Sequence, residues 1–287
     1  MSITTTTATT TTATQTWFIT GASSGFGLAF ARHALAQGHR VVATARKTGA
    51  LAELAACAPD RVLVQALDVT RPGDAEKAVA AAMACFGRID VLINNAGYGI
   101  VGALEETPAN ELRAVMETNF FGAIAMTQAV LPQMREQRSG AIVNISSLGG
   151  QLSLGGFSAY SASKFALEGA SEALAQEVAA FGIKVLIVEP GSFRTSFAAE
   201  ALRTMPAMDT YKDSVGGTRS FMRSMHGTQQ GDPAKAATAV ALALQAEKTP
   251  LRLQLGADSV SMVRDHARTL LADLTTWEAV AVDTAVD

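Results

Sequence analysis

One tyrosine of the sequence has a lysine four residues further on. Tyr160 and Lys164 begin and end the segment YSASK, whereas neither Tyr98 nor Tyr211 has a lysine at that distance. On a helix, residues four apart share a face, so the phenol and the ammonium can interact. Such a pair can exchange a proton with the oxygen of a ketone or an alcohol. The alternative is an ordinary surface pair on an amphipathic helix.

The chemistry gives a reason for the lysine. A tyrosine side chain has a pKa of ~10, whereas an acid–base group works best with a pKa nearer ~7. A shift of ~3 units corresponds to ~4 kcal/mol, and one ammonium ~4 Å away supplies about that much at an effective dielectric constant near 20. We therefore expect Lys164 to lower the pKa of Tyr160.

A glycine-rich turn is the second chemical signal. The segment TGASSGFG, from Thr20 to Gly27, follows a short apolar run and precedes a stretch with a helical pattern. Glycines permit a tight turn and close approach of the backbone to a phosphate, and the N-terminus of the next helix favours negative charge. The GxxxGxG spacing departs from the usual GxGxxG fingerprint, and a plain glycine-rich loop is the alternative.

Seven short apolar runs alternate with Ala-rich stretches of helical length. Uninterrupted apolar runs are typical of strands covered on both faces, and their alternation with helices predicts βαβ units in one parallel sheet. We therefore predict a single α/β domain with seven strands. The predicted strands are 17–20, 40–45, 61–66, 89–93, 141–145, 184–188 and 251–255, and two of the predicted helices are 25–37 and 75–86, with Gly38 ending the first.

Three segments lie outside this alternation. Ten of the thirteen residues from Thr4 to Thr16 are threonine, so we predict a flexible tail over 1–16. Residues 192–231 follow the sixth strand, are rich in Phe, Met and Leu, and are predicted to hold no strand. Residues 257–287 read as one more helix and a loose end, which leaves 17–256 as the main domain.

Composition excludes several functions. With 287 residues and a net charge of −3, the chain has no basic run for nucleic acid or a polybasic membrane contact. Its apolar stretches fall short of the ~18 residues that span a bilayer, and its N-terminus lacks the features of a signal peptide. Cys57 and Cys85 are too far apart for a CxxC site, and we expect both to be buried on helices. No histidine spacing indicates zinc. We expect a cytoplasmic protein without metal, nucleic-acid partner or membrane span.

The motifs together resemble those of the short-chain dehydrogenase/reductase family, in the family's order, over about 17–256. The combination of GxxxGxG with YxxxK is typical of its dehydrogenase branch. The resemblance implies a Rossmann-type, doubly wound parallel sheet with helices on both faces. The matching blocks are TGASSGFG, NNAG from Asn94 to Gly97, Asn119 in NFFG, Ser146-Ser147 at the end of the fifth strand, YSASK, and Pro190-Gly191 with Thr195 beyond.

The resemblance also implies four catalytic roles. Tyr160 is the acid–base group, and Lys164 additionally holds the ribose hydroxyls next to the nicotinamide, whose positive charge in the oxidised form helps to lower the pKa of Tyr160. Ser147, thirteen residues before the tyrosine, orients the substrate carbonyl; a turn serine is the alternative. Asn119 kinks its helix and holds a water in the proton relay, and a solvated helix residue is the alternative.

The cofactor prediction depends on the end of the second strand. Ala45 stands where relatives carry Asp, and Arg46 follows. A guanidinium there suits the 2′-phosphate of NADP, with Ser23 adding a hydroxyl; alternatively, Arg46 is solvated or stacks on adenine. By resemblance Asp68 and Val69 meet the adenine, although Asp68 could instead cap a helix. The cofactor-binding set is Gly21, Ser23, Ser24, Gly25, Phe26, Gly27, Arg46, Asp68, Val69, Asn95, Ala96, Gly97, Tyr160, Lys164, Pro190, Gly191 and Thr195.

By resemblance, residues 192–231 form a substrate lid, called here the lid segment. Its apolar side chains favour a hydrophobic ketone, aldehyde or alcohol as substrate, unless they only pack the segment onto the body. The segments ATARK and SSLGG and the lid resemble the 17β-hydroxysteroid and retinol dehydrogenase-like subgroup. The resemblance also implies a homodimer or homotetramer. The expected function is an NADP(H)-dependent oxidoreductase; alternatives are a cofactor-sensing regulatory or binding protein on the same fold and a partner-binding role of the Thr-rich tail.

Overall fold

The structure, a computed structural model, describes residues 13–197 and 201–286 of the 287-residue chain. Most of the predicted tail, residues 1–12, therefore lies outside the described residues. The tail prediction extends too far at its other end, because Thr16 is fully buried as the first residue of a strand, where its backbone N–H donates to Asp90 Oδ2 at 2.8 Å.

Seven parallel strands form the main sheet, in the order β3-β2-β1-β4-β6-β7-β9. The predicted fold class is confirmed: the sheet is Rossmann-like and is flanked by helices on both faces. The strands are β1 (Thr16–Ile19), β2 (Arg40–Ala45), β3 (Val62–Ala66), β4 (Val91–Asn94), β6 (Gly140–Ile145), β7 (Ile183–Pro190) and β9 (Arg252–Leu255), and a separate two-stranded sheet pairs β5 (Gly99–Val101) with β8 (Leu202–Thr204).

Nine helices accompany the strands in the described residues. A π-helical segment, Glu117–Phe121, joins the fourth helix to the fifth without a break. The helices are α1 (Gly25–Ala36), α2 (Ala52–Cys57), α3 (Asp74–Phe86), α4 (Ala109–Met116), α5 (Gly122–Gln137), α6 (Ser158–Val178), α7 (Lys212–Met225), α8 (Pro233–Gln245) and α9 (Ala257–Val282).

Each strand of the main sheet contributes side chains to two cores because successive side chains point to opposite faces. In β1, Trp17 and Ile19 pack with α1 and α8, whereas Phe18 packs with α3 and α5 on the other face. This double coverage explains why the strands read as uninterrupted apolar runs.

The chain order reverses between β1 and β4, and this opens a crevice. From β1 the chain proceeds to β2 and β3 on one side, and β4, β6 and β7 follow on the other. Connections leaving two neighbouring strands in opposite directions leave a gap above their carboxyl ends. The glycine turn and the NNAG segment both stand at this gap.

Two sequence predictions are wrong. The lid segment does contain a strand, since β8 pairs in parallel with β5, and it also contains the 14-residue helix α7. The strand was missed because β8 has only three residues, none of them buried, which is too few to show a periodic pattern. Cys57 and Cys85 lie on helices as predicted but are exposed, because the buried stripe of α3 runs through Ala75, Ala78, Val79 and Ala82 and is continued by Phe86.

A buried ion pair fastens α7 to the body of the protein. Arg219 donates to Glu106 Oε2 at 2.6 Å and to the carbonyl of Met205 at 2.7 Å, and both side chains are buried. Glu106 also accepts hydrogen bonds from the backbone amides of Ala103 and Met208. Burial raises the pKa of Glu106, but these hydrogen bonds and Arg219 outweigh burial, so the net pKa is lowered.

We expect Arg219→Leu to loosen the lid segment without unfolding the sheet. Breaking a buried pair leaves an uncompensated charge and costs about 3–5 kcal/mol. Amide hydrogen exchange over 202–225 should then accelerate by ~10²-fold or more, while exchange in β1, β4 and β6 stays unchanged. Arg223→Leu is the matched control, because Arg223 is exposed on the same helix. Equal exchange in the two variants would show that the ion pair does not fasten the segment.

Candidate active site

A cavity of about 620 Å³ lies in the crevice above β1, β2 and β4. Twelve of the predicted cofactor-binding residues line it. They are Gly21, Ser23, Ser24, Gly25, Phe26, Arg46, Asp68, Val69, Asn95, Ala96, Gly97 and Thr195. The site fits a dinucleotide in size and position, because such folds bind the pyrophosphate where the strand order reverses.

The glycine turn is shaped by contacts that a side chain would break. Gly21 and Gly25 have φ values of +64° and +52°, the left-handed region that favours glycine. A Cβ atom on Gly27 would collide with the carbonyl oxygen of Gly21, so Gly27 supports the turn from beneath rather than lining the cavity. Ser24 precedes α1 and makes no side-chain cap, so the first-turn amides are left for an anion.

Hydrogen bonds tie the glycine turn to the NNAG segment. The Thr20 hydroxyl accepts from the backbone amides of Asn95 and Ala96, each at 2.9 Å. In return the Asn95 amide group donates to the carbonyls of Thr20 and Gly21 at 2.9 and 3.0 Å. The sequence analysis assigned no role to Thr20. Its position directly before the first glycine of the turn was the feature that could have indicated one. Asn94, one residue earlier, braces the sheet by donating to Asn144 Oδ1 at 2.8 Å.

Arg46 and Asp68, which were predicted to contact the nucleotide, line this cavity. Arg46 is exposed at the end of β2, next to the buried Ala45. Asp68 accepts hydrogen bonds from the amide and hydroxyl of Thr70. Because α3 begins only at Asp74, the alternative that Asp68 caps this helix is wrong. Burial raises the pKa of Asp68, but Thr70 and nearby arginines including Arg46 give a net lowering.

A second cavity, of about 220 Å³, adjoins the first and is mostly apolar. Ser147, Tyr160 and Lys164 line it together, so the structure brings three of the four predicted catalytic residues to one place. Pro190 and Gly191 line this cavity and not the larger one. Residues shared by both walls are Phe26, Asn95, Gly97, Tyr98, Thr195 and Phe197.

The tyrosine and the lysine both lie on α6 and are both buried. Lys164 Nζ donates to the carbonyl of Ile145 at 2.8 Å and lies 5.9 Å from the centre of the Tyr160 ring. Burial lowers the pKa of Lys164 to about 8, with Glu168 opposing the shift. Burial raises the pKa of Tyr160 to about 12, and the Ser147 hydroxyl opposes that shift.

The expected lowering of the Tyr160 pKa is therefore not found in the protein without a cofactor. The reason is desolvation: a buried tyrosinate loses its hydration, and the ammonium is held by a backbone carbonyl rather than against the phenolate. At neutral pH Tyr160 is a protonated hydroxyl. It can therefore donate a hydrogen bond to an oxygen atom in the cavity.

Asn119 lies below the cavity, in the π-helical segment. Its Oδ1 accepts from the backbone amide of Tyr98 at 3.0 Å, and its Nδ2 donates to the Tyr98 carbonyl and to Ser163 Oγ, both at 2.9 Å. The alternative of a solvated helix residue is wrong, because Asn119 is only 1% exposed. Its contacts fix the segment just before β5 against α6, the helix of the candidate catalytic pair.

Sequence reasoning missed much of the apolar wall. It assigned the hydrophobic contacts to the lid segment, which does supply Phe193, Phe197, Phe221, Met222 and Met225. The opposite wall comes from the loop after Ser147, whose apolar residues recur every few positions. Those residues are Leu148, Leu152, Leu154 and Phe157.

A pair of buried carboxyl groups lies behind the catalytic helix. Glu168, one turn beyond Lys164, and Glu189 on β7 share one cation: Arg252 Nε lies 3.1 Å from Glu168 and 3.5 Å from Glu189. Burial raises the pKa of Glu168 and that of Glu189, the latter to about 7, and the charge of Glu168 contributes to the raised pKa of Glu189. The pair therefore keeps one proton in mildly acidic solution.

The fold and the site together define a class. The family model for short chain dehydrogenases matches residues 15–206, and the chain belongs to the short-chain dehydrogenase/reductase family. It is an oxidoreductase of this family, whose members use NAD or NADP.

Three relatives show how close the similarity is. Oxidoreductase BOA17 of Botryotinia fuckeliana is 40% identical over 273 residues, which cover 95% of this chain and 100% of that protein. The 3-ketodihydrosphingosine reductase of Bacteroides thetaiotaomicron is 40% identical over 247 residues, 84% of this chain and 88% of that protein. The crystal structure of a short-chain dehydrogenase from Streptomyces avermitilis has a TM-score of 0.91 and 52% identity, covering 95% of this chain and 99% of that one.

Two further features bear on the expected partners. Among the described residues, no group of three or more His, Cys, Asp or Glu side chains is placed to hold a metal ion. Nor does any described helix combine the length and apolar character of a membrane-crossing span.

We expect Glu189→Gln to change how stability depends on pH. A carboxyl whose pKa is raised from 4.5 to about 7 on folding stabilises the fold below pH 4.5, and this contribution is lost as the pH rises through 7. The amide imitates the protonated acid, so the variant should match the wild type at pH 5 and be more stable at pH 8 by about 1–2 kcal/mol. Urea unfolding at the two pH values measures this, with the exposed Glu177→Gln as control. Identical pH profiles for wild type and Glu189→Gln would contradict the shared proton.

Proposed function

We propose that the protein is an NADP(H)-dependent reductase that interconverts a hydrophobic ketone or aldehyde and its alcohol. The observation that carries the proposal is the position of the Tyr160 and Ser147 side chains, in an apolar cavity that adjoins a cavity of dinucleotide size. The intact Tyr–Lys pair favours an enzyme over a cofactor-sensing protein on the same fold. When bound, the cofactor supplies the hydride.

The residues of the chain then have separate tasks. Ser147 holds the carbonyl oxygen of the substrate by a hydrogen bond, and Tyr160 donates its proton to that oxygen as negative charge develops. Lys164 places a positive charge beside the phenol and is near enough to the adjoining cavity to bind the ribose hydroxyls. Asn119 holds Tyr98 against α6 through its hydrogen bonds, and this fixes the positions of Tyr160 and Lys164 on that helix.

The substrate class follows from the walls of the cavity. Phenylalanine, leucine and methionine side chains surround the catalytic hydroxyls, and such pockets bind apolar molecules. One curated relative is named for the reduction of 3-ketodihydrosphingosine, which supports a ketone as substrate. A steroid- or retinoid-like substrate remains a proposal from the subgroup resemblance, as do assembly as a homodimer or homotetramer and a cytoplasmic location.

The preference for NADP over NAD is proposed from the end of β2. Arg46 lines the dinucleotide cavity, and the preceding Ala45 brings no carboxylate that would repel a 2′-phosphate. A guanidinium binds phosphate through paired hydrogen bonds. Ser23 in the glycine turn lines the same cavity and adds a hydroxyl donor.

We expect Tyr160→Phe to abolish turnover. The substitution removes the proton donor but keeps the ring and its contacts with Phe157 and Phe197, so the rate should fall ~10³-fold or more. NADPH oxidation followed at 340 nm against a series of ketones of increasing hydrophobicity measures this, and activity should rise along the series. Tyr211→Phe is the matched control; Tyr211 is a half-buried tyrosine of the lid segment whose hydroxyl donates to Glu105.

Two results would contradict this assignment. Activity above about a tenth of wild type in Tyr160→Phe, with unchanged unfolding, would mean that another group donates the proton. Faster turnover of small polar carbonyl compounds than of hydrophobic ones would contradict the proposed hydrophobic substrate. It would leave the assignment of Tyr160 as proton donor unaffected.

We expect Arg46→Ala to weaken NADPH selectively. Loss of a charge-assisted contact should cost about 2 kcal/mol, or roughly 30-fold in Kd, while the Kd of NADH stays nearly unchanged. Titration of each cofactor by fluorescence or calorimetry measures both constants, and Lys47→Ala, the exposed neighbour, is the control. Equal weakening of both cofactors by Arg46→Ala would leave the NADP preference without support.

A further inference from the structure

Helix α9 projects from the body of the protein after its first turns. At its start, Ser259 is fully buried and donates to the carbonyl of Glu189 at 2.8 Å, and Asp258 accepts from the backbone amide of Ser192 at 2.7 Å. From Ala267 to the end of the helix at Val282, every residue is exposed. The helix is thus anchored at one end and has no partner along most of its length in the described chain.

Helix α9 carries apolar residues in a regular pattern that runs on through its projecting part. Spacings of three and four residues alternate without interruption, which is the repeat that places apolar side chains along one side of a helix for packing against another helix. The large members are exposed to water, Leu270 by 56%, Leu274 by 63% and Trp277 by 65%. The stripe, called here the α9 seam, consists of Val260, Val263, Ala267, Leu270, Leu274, Trp277 and Ala281.

We propose that the α9 seam binds the same seam of a second copy of this chain, with the two helices antiparallel. An exposed seam of this kind indicates an interaction surface. Its repeat matches a helical partner, and a second copy supplies a seam with the same repeat. The proposal does not depend on the proposed function.

Side-chain sizes favour the antiparallel direction. Pairing about a two-fold axis near Ala272 sets Ala267 against the partner's Trp277, a small residue against the largest one. The same axis sets Leu270 against the partner's Leu274. A parallel, in-register pair would instead set each tryptophan against its own copy and each alanine against alanine, which packs poorly.

Charges flanking the seam favour the same direction. In the antiparallel pair Arg264 lies beside the partner's Glu278, and this contact occurs twice. Asp273 meets its own copy once, which is the single unfavourable contact. In a parallel pair Asp273 would lie beside the partner's Glu278 twice, with no ion pair to compensate.

The antiparallel arrangement also accounts for one more exposed leucine. Leu271 lies outside the seam and is 64% exposed, and in the antiparallel pair it meets the partner's Leu271 across the two-fold axis. A lipid surface is a poorer partner, because between Arg264 and Val282 the helix has two arginines against Asp265, Asp273 and Glu278, whereas membrane-binding helices are basic on their polar face.

A disulfide trap on the full chain tests the geometry directly. With Cys57 and Cys85 replaced by serine, Leu271→Cys should form a covalent dimer on mild oxidation, while Thr276→Cys, on the outer side of the helix, should remain monomeric on a denaturing gel. A cross-link at both positions, or at neither, would overturn the antiparallel pairing.

Sedimentation velocity tests the interaction without a cross-link. Leu274→Asp should halve the mass of the particle, whatever other interfaces the protein has, whereas Thr275→Asp should leave it unchanged. Both residues are exposed in the single chain, so folding is not at risk. Glu278→Arg should weaken association, and Arg264→Glu added to it should restore association. An unchanged mass for Leu274→Asp, or stronger association of Glu278→Arg alone, would overturn the proposal; the latter is the result that a parallel pair gives.

Discussion

The candidate active site depends on the hydrogen bonds between Thr20 and Asn95, which join the glycine turn to the NNAG segment. At the gap between β1 and β4, the glycine turn and the NNAG segment approach each other with no strand pairing beyond the ends of the two strands. One hydroxyl accepts from two amides, and one side-chain amide donates to two carbonyls. These bonds satisfy partly buried backbone groups that lie beyond the hydrogen bonding of the sheet. They also fix the wall that the two cavities have in common.

Helix α6 places the candidate catalytic residues on this frame. The helix carries Tyr160, Ser163, Lys164 and Glu168 within little more than two turns. Through them it meets the apolar cavity, the π-helical segment of Asn119, the carbonyl of Ile145 and the buried carboxyl of Glu189. A displacement of α6 would disturb all of these contacts together, which is why so many polar groups of this protein are buried around a single helix.

Desolvation is the dominant electrostatic effect around that helix. It raises the pKa of Tyr160, lowers that of Lys164 and raises those of Glu168 and Glu189. Each shift favours the neutral form of the group. The protein alone therefore presents a protonated phenol beside an ammonium that burial has made more acidic.

Local signals in the chain were enough to predict the sheet, the glycine turn and the candidate catalytic residues, because these depend on local periodicity, on backbone freedom at glycine and on i, i+4 spacing along one helix. The strand β8 could not be predicted, because a strand of three residues is too short to show a periodic pattern. The exposure of Cys85 could not be predicted either, because the elements packed against α3 decide which of its sides is buried. Nor could the sequence predict the pKa of Tyr160, because burial sets it. The rings of Phe157 and Phe197, which come before and after the tyrosine in the chain, pack against its ring. Thr20 and the carboxyl pair were missed for the same reason: their roles come from contacts between residues 21 to 84 positions apart, which only the tertiary structure brings together.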